Sequence, residues 1–196
     1  MKKKDDDGVP RRSNWVLAIT FWTLIMAIIF SIITESLMEN IDIFAAFLIL
    51  IIIILIGILF DIIGIAVTSA KEEPFHSMAA NKIIEAKYAI RLVRNAGQVS
   101  NFCNDVIGEI SGIISGAAGS TIIYKIIQSY DIKNITILNI FITALIASLT
   151  VGGKAFGKEI AISNSEKIIF NFAKVLSFLE SKFGIVILSD NKNNKK

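Results

Sequence analysis

The sequence predicts an all-α fold: a polytopic membrane bundle of about four spanning helices, with amphipathic helices on the cytoplasmic side. Of the 196 residues, 54% are hydrophobic and 19% charged, with a mean hydropathy of +0.65. Much of the surface must therefore face something other than water. The apolar residues are gathered in runs close to the ~20 residues that cross a bilayer. The basic residues fall almost wholly in connections that such a bundle places on one side.

Four apolar runs are the predicted spans. Three of them contain no charged residue: 15–33, 43–60 and 134–153. The fourth, 110–124, is shorter because it lies between Glu109 and Lys125. It spans if those two charges lie near the interfaces or inside the bundle. The first run resembles a signal peptide, but it is too long and no A-x-A cleavage site follows it, so we predict an uncleaved span.

The basic residues predict the orientation. Eighteen of the twenty Lys and Arg residues lie in 1–13, 68–102 or 154–196. Because positively charged loops stay cytoplasmic, both termini and the long middle connection are expected inside. A three-span arrangement would leave one basic block outside. We therefore predict a multi-pass protein of a bacterial cytoplasmic membrane, whose net charge of +3 reflects this sidedness and needs no nucleic-acid partner.

Two more helices are predicted on the cytoplasmic side. Residues 72–95 begin with an acid and a proline, which suit a helix start. They continue as a basic amphipathic helix with a break near Asn81. Residues 164–184 carry an apolar stripe opposite lysines, after a capping box at 163–166. The other predicted boundaries are a cytoplasmic tail at 1–13, an extra N-terminal span at 14–34, a transmembrane domain at 41–187 and a disordered tail at 188–196.

The third span carries two rows of small residues. One row is Gly108, Gly112 and Gly116, and the other is Ser111, Ser115 and Gly119. Small residues at these spacings let helix backbones approach closely in lipid. We therefore expect this helix to be the buried centre of the bundle or of a dimer. Because the glycine seam is wider than one short bundle needs, we predict a homodimer. Asp105 and Glu109 lie on the glycine side and are expected to face protein rather than lipid.

Polar residues at membrane depth are the candidate functional residues: Asp61, Asn104, Asp105, Glu109 and Lys154. Ionisable groups at this depth are costly, so they indicate either a polar pathway or a paired structural site. Carboxylate and amide oxygens suit a hard cation such as Mg²⁺. The first four are therefore ion-pathway or metal candidates. The alternative is that Asp61, Asp105 and Lys154 lie at the inner interface, where charge costs little.

Four short motifs follow one another along the last three spans and the helix after them. Phe60-Asp61 stand at the end of a core span, and Asn104 opens the next one. Segments 153–161 and 164–167 overlay the patterns G-E-x-x-P-K-x-x-A and N-P-E-K. Over roughly residues 43–184 this order resembles the transmembrane domain of the cyclin-M / CorC (CorB) magnesium transport proteins. The resemblance implies a small helical membrane domain that binds a divalent cation between its spans.

The departures from that family concern the ion site. The resemblance implies ion-binding positions at Asp61, Asn104 and Lys154, where the family has serine, asparagine and glutamate. Only the asparagine is kept. Two charges 4 Å apart interact by ~4 kcal/mol at an effective dielectric near 20, so an Asp61–Lys154 ion pair could take the place of a metal. The 196 residues also contain no counterpart of the family's regulatory CBS pair or C-terminal CorC domain.

Two functions from different classes follow. One is a divergent carrier of Mg²⁺ or a related ion. The other is a non-transporting structural or accessory membrane subunit, in which Lys154 blocks the site by pairing with Asp61 and the protein assembles with other subunits. An enzyme is not expected, because the one histidine, His76, has no cysteine or serine at a catalytic spacing. The one cysteine, Cys103, excludes an internal disulfide and is expected to be a packing residue.

Overall fold

In the computed structural model of the chain, the described residues are 10–39, 41–130 and 134–183. Over these ranges the protein is helical and contains no strand, which confirms the predicted all-α class. The tail predicted at 188–196 lies outside the described residues, as do residues 1–9 of the other tail. The helices are α1 (Pro10–Glu39), α2 (Ile43–Ser69), α3 (Glu73–Ala80), α4 (Ile84–Arg94), α5 (Ala96–Ser100), a π-helical segment (Asn101–Gly108), α6 (Glu109–Ser129), α7 (Ile135–Ser163) and α8 (Ser165–Phe183).

Four helical stretches are long and apolar enough to cross a membrane: Thr20–Glu39, Ile43–Ser69, Ala96–Ser129 and Ile135–Ser163. The prediction of about four spans is therefore confirmed by length and composition, and the chain is a multi-pass membrane protein. The third stretch is longer than the predicted run 110–124, because α5, the π-helical segment and α6 continue one another over 34 residues. It is also the most buried of the four.

The first helix extends beyond the predicted span 14–34 at both ends. Its described part includes residues 10–13, which the prediction assigned to the N-terminal tail. At the other end, the ammonium group of Lys125 in α6 donates to the carbonyl oxygens of Glu39 at 3.1 Å and Ile41 at 2.5 Å. These bonds satisfy carbonyl groups that the end of a helix leaves without partners. They also fasten α1 to α6.

Two hydrophobic clusters lie along α2, which packs against α6 and α7 and also against α8. The cluster that we call outer joins Leu50 and Ile54 to buried residues of α1, α6 and α7: Met38, Ala118, Ile122, Ile123, Ile142 and Ile146. The cluster that we call inner joins Ala66 and Val67 to buried residues of α3, α4, α7 and α8: Phe75, Ala89, Ile90, Leu92, Ala161, Ile169, Ala173 and Leu176. Asp61 lies between the two clusters in the sequence of α2.

The helix predicted at 72–95 is two helices, α3 and α4, with the break where Asn81 indicated it. Lys82 in this break has a φ of 64°. That left-handed conformation costs a residue with a side chain about 1–2 kcal/mol. The break lets the two short helices pack against each other, so that both contribute to the inner cluster.

Glu72, just before α3, connects α3 to α4. Its Oε2 accepts hydrogen bonds from His76 Nε2 and Arg94 Nε, each at 3.1 Å. Burial raises the pKa of the Glu72 carboxyl, but the hydrogen bonds from His76 and Arg94 outweigh it and hold the pKa below its ordinary value. His76 is thus a partner of a surface carboxylate.

The last helix, described over Ser165–Phe183, lies within the predicted range 164–184 but differs from the prediction in its contacts. Ile169 and Leu176 are buried in the inner cluster, whereas Val175, which also belongs to the predicted apolar stripe, is exposed. The stripe is wider than the inner cluster can cover. The basic face of α8 is exposed at Lys167, Lys174 and Lys182.

The predicted capping box at 163–166 is wrong. Ser163 is the last residue of α7, and its hydroxyl donates to the carbonyl oxygen of Glu159 at 2.6 Å. The side-chain amide of Asn164 donates back to Ile160 at 3.5 Å. A serine hydroxyl can donate to a carbonyl oxygen of its own helix. The Ser163 hydroxyl, which was expected to cap α8, is therefore bonded within α7.

Candidate functional site

Three polar side chains lie between the two hydrophobic clusters, and we call them the polar layer: Asp61 of α2, Asn104 of the π-helical segment and Lys154 of α7. Two of them form an ion pair. Lys154 Nζ of α7 is 3.5 Å from Asp61 Oδ1 of α2. The Asp61 side chain is 15% exposed and the Lys154 side chain 30%. The pair that the sequence suggested is therefore present, and it joins the second span to the fourth.

The lengths of the apolar runs place this pair at one boundary of the hydrocarbon layer. Run 43–60 ends directly before Asp61, and run 134–153 ends directly before Lys154. At 1.5 Å per residue these runs are about 27 and 30 Å long. A hydrocarbon core is about 30 Å thick. Both charges can thus reach the interface at that end of the spans, where they also pair with each other.

Small residues of α2 bring the third span close to the ion pair. Gly57 and Gly64 are spaced by four and three residues from Asp61, so all three lie on one face of α2. A Cβ on Gly57 would lie 2.9 Å from Ser111 Cβ, and a Cβ on Gly64 would overlap the amide of Asn104. This spacing was a signal in the sequence that would have identified the face of α2 that packs on the third span.

Gly108 is buried beside the ion pair. A Cβ at this position would lie 3.4 Å from Lys154 Nζ and 3.6 Å from Asp61 Oδ1. The residue ends the π-helical segment, a rare geometry that occurs frequently at functional sites. Of the predicted packing glycines, Gly108 and Gly119 fill that role, since Gly119 meets the side chain of Ile146.

Asn104 lies in the π-helical segment on the side of α2. Its Nδ2 donates to Ser100 Oγ at 3.2 Å. Its Oδ1 is buried and, within the residues that the structure describes, has no hydrogen-bond partner. Cys103, next to it, is buried and unpaired, in agreement with a packing role. The amide group thus brings one free acceptor to the polar layer.

Asp105 and Glu109 lie on the other side of the third span, and both are exposed at the surface of the chain. A Cβ on Gly112 or Gly116 would meet no atom within 4 Å. The prediction that this glycine row and its acids face into the bundle is therefore wrong within a single chain. The row that is buried instead is Ser111, Ser115 and Gly119.

The helix geometry explains this difference. A step of four residues turns an α-helix by about 40° beyond one full turn. Gly116 therefore points about 80° away from Gly108, although the two belong to one row. Gly108 stays beside α2, and Gly116 turns to the outside together with Glu109.

The acids do not converge on a metal. Among residues 10–39, 41–130 and 134–183, no three His, Cys, Asp or Glu side chains are grouped so that they could hold a metal ion. Of the four ion-pathway candidates, Asp61 and Asn104 lie in the polar layer, and Asp105 and Glu109 do not. Lys154 places a positive charge next to Asp61, one of the two remaining candidates.

The fold and the polar layer define a multi-pass helical membrane protein with an ion pair between its second and fourth spans. Comparison with known proteins found no matching family model, no matching curated protein and no matching solved structure. The resemblance to the cyclin-M / CorC family therefore stays a hypothesis that depends on the short motifs alone.

Proposed function

We propose that the protein is a non-transporting accessory subunit of a membrane assembly. The single observation that carries this proposal is the distance of 3.5 Å between Lys154 Nζ and Asp61 Oδ1. The resemblance to the magnesium transport family implies an ion site at these positions. A lysine ammonium group paired with the carboxylate takes the place that the resemblance gives to the cation.

The electrostatic balance supports this proposal. A divalent cation about 4 Å from a carboxylate gains about 8 kcal/mol at an effective dielectric of about 20. A lysine at the same distance repels it by about the same amount. The charges of Asp61 and Lys154 therefore cancel, and the neutral Asn104 amide adds only a dipole. Such a layer holds the two helices together and has no net attraction for Mg²⁺.

An assembly role is supported by the outer face of the third span. We call this surface the acid–glycine face: Asp105, Glu109, Gly112, Gly116 and Ser120. Each of these residues is exposed or half-buried in the chain. Small residues allow another helix to approach closely. Asp105 and Glu109 lie on either side of Gly108, which is level with the Asp61–Lys154 pair at the boundary of the hydrocarbon layer. A second protein packed against the glycines would therefore also meet two carboxylates near that boundary.

The acids favour one kind of partner for this face. In a two-fold homodimer, Asp105 and Glu109 of both copies would oppose each other, and like charges across an interface are unfavourable. A partner helix with a lysine or arginine at the same depth has the complementary charge. The homodimer that the glycine row predicted is the other outcome of the test.

The carrier stays the second candidate because of one observation: among the residues that the structure describes, the buried Oδ1 of Asn104 has no hydrogen-bond partner. Thermal unfolding of the purified protein with and without millimolar Mg²⁺ distinguishes the two functions. An accessory subunit shows no shift of the unfolding midpoint, and the Lys154→Glu variant gains one because a second carboxylate replaces the blocking cation. A midpoint of the wild type that rises with Mg²⁺, and no longer rises in Asp61→Asn, would refute the accessory subunit.

Site-directed cross-linking tests the assembly. Cysteine is placed at Gly116 in a Cys103→Ala background, with Val151→Cys on the exposed surface of α7 as the matched control. We expect an adduct with another membrane protein at position 116 and none at position 151. Adducts with a second copy alone would favour the homodimer. Only unlinked monomer in native membranes would contradict an assembly through this face.

A further inference from the structure

A polar cavity of about 320 Å³ lies at the end of the spans, where α7 turns into α8. It is lined by the last residue of α2, Ser69, by Lys71, and by the first turn of α8 with Ser165 and Lys167. The Asp61–Lys154 pair lies outside it. Ser69 follows Asp61 by eight residues, or about 12 Å along α2. If the hydrocarbon core ends near Asp61, the cavity lies at or just beyond the headgroup layer, which is roughly 5–7 Å thick in each leaflet.

The first turn of α8 offers hydrogen-bond donors to this cavity. Helix geometry leaves its first N–H groups without backbone acceptors. The first backbone bond of this turn is the one from Ile168 N to Asn164 O, at 3.0 Å. With Ser163 and Asn164 bonded back to α7, no side chain among the described residues caps these groups. The positive end of the α8 dipole therefore faces the cavity open to an acceptor.

Ser165 is the independent observation that points to a ligand. It lines the cavity, is only 9% exposed, and makes no hydrogen bond with any residue that the structure describes. The residue is buried while its hydroxyl opens on the cavity, and the polar group of a buried residue ordinarily has a hydrogen-bond partner. Around it, Lys71 and Lys167 are exposed and form no ion pair within the described part of the chain. The missing partner of Ser165 is thus expected to be an anionic acceptor.

We propose that this cavity binds a phosphate group. A helix N-terminus with free N–H groups, two lysines and the hydroxyl of Ser165 has the donor chemistry that phosphate oxygens require. The position at the end of the spans makes two sources possible, an anionic lipid headgroup and a soluble phosphate. Glu166 also lines the cavity. Its negative charge opposes an anionic ligand, so its neutralisation should strengthen binding.

The first experiment measures the binding of inorganic phosphate to the full chain in a neutral detergent. The unfolding midpoint is followed as phosphate replaces chloride at constant ionic strength. We expect a rise for the wild type, with the apparent affinity at least about tenfold weaker in Ser165→Ala and in the Lys71→Gln/Lys167→Gln double variant. Glu166→Gln binds more tightly. Lys87→Gln removes an exposed lysine of α4 outside the cavity and leaves the affinity unchanged.

The second experiment tests the lipid as the source. The same proteins are reconstituted with phosphatidylcholine and a small fraction of phosphatidylglycerol, and the lipid retained after purification is measured by mass spectrometry. Retention of phosphatidylglycerol by the wild type and Lys87→Gln, but not by the double variant, indicates a headgroup. A phosphate shift without lipid retention indicates a soluble ligand. Equal behaviour of the wild type and the double variant in both experiments, or an equal loss in Lys87→Gln, overturns the proposal.

Discussion

The amide of Asn104 fills the space that a side chain on Gly64 would need. Asn104 belongs to the π-helical segment and Gly64 to α2, and the two meet between Asp61 and the inner cluster. Because Nδ2 bonds to Ser100 and Oδ1 is buried, the amide has little freedom to move away. Close approach of these two helices therefore depends on the absence of a Cβ at position 64.

Gly64→Ala is expected to lower the stability of the protein by about 1–3 kcal/mol, the usual cost of overpacking. Thermal unfolding in detergent measures the effect. The double variant Gly64→Ala/Asn104→Ala should recover part of the loss, because the smaller side chain makes room. Gly97→Ala is the matched control, since a Cβ there would meet nothing within 4 Å. A Gly64→Ala protein as stable as Gly97→Ala would contradict this packing.

The Asp61–Lys154 pair predicts coupling between two substitutions. Lys154→Met and Asp61→Asn should each cost about 2 kcal/mol, less than the roughly 3–5 kcal/mol of a fully buried pair because both side chains are partly exposed. The double variant should cost clearly less than the sum of the two, because it leaves no uncompensated charge. A double-mutant cycle by thermal unfolding measures this coupling. Additive losses would mean that the two charges do not stabilise each other.

Lys125→Met is expected to loosen α1 from α6 at the outer end of the bundle. It removes the hydrogen bonds to the carbonyl oxygens of Glu39 and Ile41, and a hydrogen bond from a charged donor contributes about 2 kcal/mol. Hydrogen exchange in the last turns of α1 should become faster, while exchange in α8 stays unchanged. Lys158→Met, which removes an exposed lysine near the other end of the bundle, is the control. Equal exchange in the two variants would show that Lys125 does not fasten α1.

Lys82→Gly is expected to stabilise the protein by about 1 kcal/mol, because glycine adopts the left-handed conformation at φ 64° without steric cost. For a chain of this size that corresponds to a midpoint about 2–4 °C higher. Lys87→Gly, in the middle of α4, should instead lower stability by about 1 kcal/mol. If both substitutions lower the midpoint, the break between α3 and α4 has a different backbone conformation.

Glu72 predicts a dependence of stability on pH. The Glu72 carboxylate has its pKa held below the ordinary 4.5 by His76 and Arg94. Its contribution is therefore fully present above the unfolded pKa and is lost as the pH falls through the folded pKa. The midpoint of the wild type minus that of Glu72→Gln should be positive near pH 7 and shrink once the pH falls below 4.5. A constant difference over that range would exclude a role for the charge.

The spans were predictable because a run of about twenty apolar residues needs no partner in order to be recognised. The break at Asn81 and the Asp61–Lys154 pair also follow from local signals and from charge. The face of the third span did not follow, because the side on which a helix packs is decided by its neighbours. Gly108 and Gly116 look equivalent in the sequence, but they point in directions about 80° apart around the helix axis. The capping of α1 by Lys125 links residues more than eighty positions apart, and no local pattern indicates it.

The two clusters that α2 joins have a consequence for any dissection of this protein. Leu50 and Val67 belong to one uninterrupted helix, α2. The short helices α3 and α4 therefore pack against the last turns of a helix that also spans the membrane. Excised as a water-soluble fragment, residues 70–100 would leave Phe75 and Leu92 without the surface that now encloses them. The short helices α3 and α4 can therefore be studied in their folded state only together with α2.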